Sequence, residues 1–143
     1  MTGDCVFCRI AEGATAAEVV WDEDCCLAFL DHSPLFPGHV LLIPKRHYDT
    51  LLDLPSELTG PYFEVAKDLA RAVETGLKAD GTFVAINNRV SQSVPHLHVH
   101  IIPRRRKDGM KGFFWPRRSY AGDAHMKEVA AVIRGAMADL RPR

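Results

Sequence analysis

The segment His96-Leu97-His98-Val99-His100-Ile101-Ile102 constrains this chain more than any other stretch. Successive side chains of an extended strand face opposite ways. The spacing therefore predicts that all three imidazoles share one face and that Leu97, Val99 and Ile101 share the other. Adjacent rings on one face would stand roughly 7 Å apart at a rise of about 3.3 Å per residue. The apolar face reads as core, so the chain is expected to hold a sheet with a core on one side and polar chemistry on the other. The three histidines admit a merely polar face, a three-histidine zinc site or a nucleophilic site. Free imidazole titrates near pH 6.5, so about half or more of it is neutral and nucleophilic at pH 7.

The rest of the chain supplies that sheet. Val19-Val-Trp-Asp22 and Cys26-Leu-Ala-Phe-Leu30 read as short strands joined by the acidic turn Asp22-Glu-Asp24. Pro34, Pro37 and Gly38 form a loop ending in His39, and Val40–Ile43 is an apolar strand stopped by Pro44. Ser56 to Ala79 reads as a helix with Val65, Leu69, Val73 and Leu77 down one face, Ser56 as its N-cap and Pro61 near its start. Thr82–Asn87 and His96–Pro103 read as strands, with the polar loop Ser91–Pro95 between them. Asp123 is the expected cap of a last helix carrying Val129, Ile133, Met137 and Leu140. Strands, one central helix, more strands and a final helix make an α+β fold with a largely antiparallel sheet.

At 143 residues and 47% apolar content the chain is expected to be one domain with a substantial core. No apolar run approaches the roughly 18 residues of a membrane span. The N-terminus has no basic start and no apolar stretch like a signal peptide, so a cytoplasmic protein is expected. Net charge is zero, yet residues 1–103 hold 7 basic against 14 acidic side chains, and residues 104–143 hold 11 against 4. The basic end is read as a solvated surface; a nucleic acid, a phosphorylated small molecule and the acidic body remain possible contacts for it.

Of the cysteines, Cys5 and Cys8 have metal or redox spacing, and no strand precedes them as a thioredoxin-like unit would require. Metal binding needs two further ligands. Cys25 and Cys26 cannot both point inward from a strand and are read as small apolar residues.

Together these segments resemble the histidine triad (HIT) superfamily. The resemblance rests on His96–Ile102 and its flank Ser91-Gln92-Ser93-Val94-Pro95, on Asn87, and on Cys5-Val-Phe-Cys8-Arg-Ile10. It extends to Phe29-Leu-Asp31-His-Ser33-Pro34 and Pro37-Gly-His39-Val-Leu-Leu-Ile-Pro44-Lys-Arg-His47. It runs in order from Cys5 to about Arg104, and departs where Ser91 stands in place of the usual glycine and in a shortened loop from Asn87 to Gln92.

The resemblance implies a HIT-like fold, with a core over about 5–104 and a basic extension over 105–143. It implies a hydrolase acting at the α-phosphate of purine nucleotides, either dinucleoside polyphosphates or nucleoside phosphoramidates, through a covalent nucleotidyl-histidine. His98 takes the place of the nucleophile, His100 of a donor to the phosphate oxygens, and His39 of a support. Phe29, Asp31, Asn87, Gln92 and Ser93 take substrate-binding places. Asp31 meets the ribose hydroxyls, and Phe7, Ile10 and Phe29 surround the base. Cys5, Cys8, His47 and His96 match a structural zinc site of some branches. A homodimer through Ser56–Ala79 and an adjacent strand is implied, with a small nucleotide as partner; no membrane or nucleic-acid partner is expected. A regulatory nucleotide-binding protein with little catalysis and a nucleotidylyltransferase are the rival readings, and His100 argues against the second, which carries glutamine there. The sequence assigns no role to Arg104–Lys107, for which a polyphosphate tail or a second nucleotide are the candidate contacts, nor to Phe113–Pro116, for which a partner subunit or the pocket rim are the candidates. His32 and His125 have no assigned role.

Overall fold

The computed structural model describes residues 3–110 and 117–141; the segment Phe113–Pro116 lies outside the described residues. The chain divides into two compact units, one ending at Asp108 and the other beginning at Gly109.

The first unit opens with a short helix, α1 (Val6–Ala11), followed by β1 (Val19–Asp22), β2 (Cys26–Leu30) and β3 (Val40–Pro44). A 3-10 turn at Leu51–Asp53 leads into α2 (Ser56–Gly76), and β4 (Gly81–Ala85) and β5 (Val99–Arg104) complete it. The strands form one five-stranded sheet in the order β1-β2-β3-β5-β4, antiparallel at every pairing. This is the α+β, antiparallel arrangement expected from the sequence.

Both faces of the sheet centre are covered, which is why β2 and β3 read as near-continuous apolar runs. On one face Ala28, Leu42, Val99 and Ile101 pack against Tyr62, Val65, Leu69 and Val73 of α2. Those α2 positions recur at helical spacing, and the buried Tyr62 hydroxyl donates to the Leu42 carbonyl at 2.6 Å. On the other face Leu27, Phe29, Leu41 and Ile43 pack with Phe7 of α1. Among the described residues, no helix is long and apolar enough to cross a membrane.

Several local expectations are corrected. Helix α1 was not foreseen: it has only six residues and its cap is a cysteine, Cys5, whose Sγ accepts from the Cys8 N–H at 3.4 Å. Pro55 rather than Ser56 is the N-cap of α2, and Leu77 lies at its C-terminal end, half-exposed. β5 begins at Val99, so His96 and His98 precede the regular ladder, although Leu97, Val99 and Ile101 do share the core. Cys25 and Cys26 both pack with the α2-side core, because Cys25 sits in the bend before β2. In the second unit α3 spans Asp123–Leu140; Gly122 is its N-cap and Asp123 is already inside the helix.

Candidate functional site

Two histidine clusters lie side by side beneath Phe7, whose ring meets His96 and His98 edge-on at 6.0 and 5.1 Å between centroids. The first cluster joins Cys5, Cys8, His47 and His96, whose donor atoms all lie within 4.8 Å of one another. Helix α1 brings Cys5 and Cys8 to one side of a single turn. Cys5 Sγ is 3.3 Å from His96 Nδ1, and Cys8 Sγ is 3.4 Å from the same nitrogen and 3.2 Å from His47 Nδ1.

The opposite ring nitrogens are already occupied. His96 Nε2 donates to the Pro44 carbonyl at 2.7 Å, and His47 Nε2 to Asp49 Oδ1 at 2.7 Å. Both Nδ1 lone pairs therefore face the thiols. A tetrahedral zinc with bonds of about 2.3 Å to sulfur and 2.0–2.1 Å to nitrogen sets sulfur and nitrogen roughly 3.5 Å apart. The donor set fits such an ion, and the Asp49–His47 pair is the outer hydrogen bond that orients ligating imidazoles. Burial, with the neighbouring Cys5 thiol second, pushes Cys8 up to about 11, so a Cys8 thiolate needs a cation beside it. Burial holds His96 down to about 4, in the neutral form that ligates.

The second cluster joins Asp31, His39, His98 and His100. His98 Nδ1 donates to the His96 carbonyl at 2.7 Å, which leaves its Nε2 lone pair free. His39 is placed by a turn over Phe36-Pro37-Gly38-His39, closed by the His39 N–H on the Phe36 carbonyl at 3.0 Å. Gly38 has φ +100, a backbone conformation that favours glycine, and the Leu77 side chain lies over it.

The Leu35 N–H donates to His39 Nδ1 at 3.1 Å, so His39 carries its proton on Nε2. That proton points to His100 Nδ1, 2.9 Å away, and fixes the His100 proton on Nε2 in turn. His100 Nε2 is buried and has no partner among the described residues. It is a donor held ready beside His98, with ring centroids 4.8 Å apart. Asp31, His39 and His100 also lie within metal-binding reach. A metal on His39 Nε2 would need both nitrogens of that ring deprotonated, so this group is a proton-ordered chain and not a ligand set. Burial lowers His39 and His98 and holds His100 at about 4, which keeps all three neutral at pH 7.

The cluster opens into a cavity of about 730 Å³, within the range of small-molecule sites. Of the residues expected from the sequence, Phe7, Ile10, Phe29, Asp31, Ser93, His98 and His100 line it. His39 acts behind His100. Asn87 and Gln92 are not among the lining residues. Gln92 instead turns its side chain to the Asp49 carbonyl and the Arg89 N–H. Thr15 to Glu18 also line the cavity, unmarked in the sequence because a loop of small residues after a six-residue helix carries no pattern, and His32 lines it beside Asp31.

Arg104–Lys107 is not in the lining either: Arg104 forms a two-pronged pair with Asp108 at 2.6 and 3.0 Å, and Arg105 donates to the Leu77 carbonyl at 2.7 Å. Arg104 lies four residues along β5 from His100, roughly 13 Å at strand rise.

Comparison with known proteins adds to this geometry. The model of the HIT domain matches residues 12–107. A yeast (Saccharomyces cerevisiae) protein named adenosine 5′-monophosphoramidase HNT1 is 34% identical over 137 residues, covering 92% of this chain and 84% of its own. A crystal structure of a HIT family member from Bacillus subtilis superposes with a TM-score of 0.83 at 32% identity, covering 92% of this chain and 96% of that one. A zinc-bound histidine triad family protein from Mycobacterium smegmatis gives a TM-score of 0.73 at 34% identity, covering 95% and 99%.

Proposed function

We propose a nucleotide hydrolase from one premise: the chain belongs to the HIT domain family, which includes hydrolases of small nucleotides. The observation that carries the reading is the proton order of the second cluster. His98 offers a lone pair on Nε2, and the buried His100 Nε2–H stands beside it without a partner. A tetrahedral phosphorus centre with an electrophilic atom and negative oxygens answers both at once.

In this reading His98 Nε2 attacks the α-phosphorus and the bond to the leaving group breaks, with the leaving group taking a proton from solvent water in the open cavity as it departs. The positive charge gained by the imidazole is shared through Nδ1–H with the His96 carbonyl. His100 donates to a non-bridging oxygen, and Ser93 lies at the same wall. Water then attacks phosphorus, gives a proton back to solvent and releases His98 as neutral imidazole. Asp31, whose Oδ1 is held by the Ser33 N–H at 2.9 Å, is the acceptor for the ribose hydroxyls. Phe7, Ile10 and Phe29 supply apolar surface for the base.

The cavity lining favours a phosphoramidate over a dinucleoside polyphosphate. It holds the carboxylates of Asp31 and Glu18 and, among the described residues, no lysine or arginine. A polyphosphate tail would meet no lysine or arginine among the described lining residues, whereas a neutral or cationic amine leaving group suits an acidic rim. The name of the yeast relative supports the same choice.

A zinc ion held by Cys5, Cys8, His47 and His96 would serve structure, since four protein donors leave no open position. A homodimer through α2 and the edge strand β4 accords with half-exposed Phe63 and Val84 on those elements. Light scattering at micromolar concentration should give twice the chain mass, and a monomer mass removes the dimer.

The reading is tested with a substrate panel. Adenosine 5′-phosphoramidate should exceed diadenosine tri- and tetraphosphate in kcat/KM by about 10–100-fold, the scale of one missing charged hydrogen bond. The reverse order overturns the choice of substrate, and no turnover of either class overturns the hydrolase.

A further inference from the structure

The loop that precedes the histidine segment is strained and clasped. Arg89 and Ser91 sit at φ 70 and 61, in the left-handed region that favours glycine. Such residues persist only where their surroundings over-determine them. Two clasps do this, and both land on the short segment after His47. Asn88 Oδ1 accepts from the Leu51 N–H at 3.0 Å. The Gln92 side chain donates to the Asp49 carbonyl, while its Oε1 accepts from the Arg89 N–H at 2.8 Å.

That segment is itself stiff. Thr50 donates through its N–H and its hydroxyl to Asp53 Oδ2 at 3.0 and 2.8 Å, and the Leu97 N–H donates to the Tyr48 carbonyl at 2.7 Å. Its side toward the metal cluster is the Asp49 carboxylate, which accepts from His47 Nε2.

We propose that Asp49 is a positioning residue that ties the metal cluster to the phosphate-side loop, its carboxylate holding His47 and its carbonyl holding Gln92. Metal ligation by His47 Nδ1 fixes the ring, the ring fixes Asp49, and Asp49 with Leu51 fixes residues 88–92. Ser93, the next residue, lines the cavity with His98. Gln92 and Asn88 are the arms of this strut. The inference rests on the metal reading of Cys5, Cys8, His47 and His96.

The test uses the full-length, zinc-loaded protein and the variants Asp49→Ala, Asp49→Asn and Gln92→Ala. Zinc affinity is read by competition with a chromophoric chelator, and loop order by amide hydrogen exchange of residues 89–93 at saturating zinc. Asp49→Ala should lower zinc affinity about 10–100-fold, as the loss of an outer hydrogen bond does. With zinc saturating, it should also speed exchange of the loop amides about tenfold while the β3 and β5 amides stay as in wild type. Asp49→Asn keeps an acceptor for the His47 N–H and should restore most of both. Gln92→Ala should loosen the loop with zinc affinity unchanged. Loop exchange in Asp49→Ala equal to wild type overturns the strut while leaving the metal site standing. A wild-type chain that takes up no zinc overturns the metal reading, and the strut with it.

Discussion

Replacing His39 with alanine isolates the proton order on which the site depends. The ring is 3% exposed and makes two directed hydrogen bonds, accepting from the Leu35 N–H and donating to His100 Nδ1. His39→Ala leaves His100 Nδ1 unpaired in a part-buried place, at about 1–3 kcal/mol, while the Leu35 N–H, on an exposed residue, can turn to water. With the lost packing against His100, the total is about 2–5 kcal/mol, a large share of a typical domain stability of 5–15 kcal/mol. Urea or thermal unfolding of the zinc-loaded protein should show it as a Tm lowered by roughly 10 °C or more. Turnover should fall on the order of 10²-fold, because the His100 proton is no longer directed to Nε2 and the phosphate oxygen loses a donor. His39→Gln places an amide N–H toward His100 and should regain more turnover than stability. A His39→Ala variant that is destabilised yet turns over at the wild-type rate would refute the assigned proton order. One that changes in neither respect would show that the two bonds do not hold the site.

Cys8→Ser should abolish binding of about one zinc per chain and lower stability by about 4 kcal/mol where free zinc stands a thousandfold above its Kd, with turnover partly kept. Metal analysis and unfolding check this, and an immediate loss of all turnover on chelation, with the fold intact, would make the metal catalytic. His100 is held at about 4, chiefly by burial and then by His98 and His39, against about 6.5 unfolded. The unfolded chain thus binds the extra proton between those values. Stability should be complete above pH 6.5 and fall by up to about 3 kcal/mol as pH drops toward 4. His100→Asn should remove that ring's share of the slope in urea midpoints from about pH 4.5 to 7.5, leaving the share of the other buried histidines, and parallel profiles for variant and wild type would contradict the burial of this ring.

The parts of the fold carried by periodicity were legible in the sequence. Val40–Ile43 as a buried strand, the α2 face through Val65, Leu69 and Val73, and the apolar side of Leu97, Val99 and Ile101 all follow from side-chain spacing. What depends on single hydrogen bonds was not. Helix α1 is too short for a periodic signal, yet it brings both cysteines and Phe7 to the histidines. The alternation of His96, His98 and His100 predicts one face and no difference of role. The difference comes from carbonyls and imidazoles that meet only in three dimensions: Pro44 for His96, His96 for His98, and His39 for His100. Gln92 shows the limit most plainly, since its place beside the triad suggested substrate, while its amide is spent on Asp49 and Arg89.

The proposed chemistry turns on His98, whose Nε2 lone pair, set free by the His96 carbonyl, would become covalently attached to the nucleotide. Rapid quench of the wild-type protein with adenosine 5′-phosphoramidate labelled at phosphorus tests it most directly. Label should be trapped on the protein, labile to acid and stable to base as a phosphorus–imidazole bond is, and mapped to the peptide at His98. His98→Asn should still bind nucleotide, trap nothing and turn over at least ~10³-fold more slowly. Label on His96 or His100, or sustained turnover in His98→Asn with no trapped species, would contradict it.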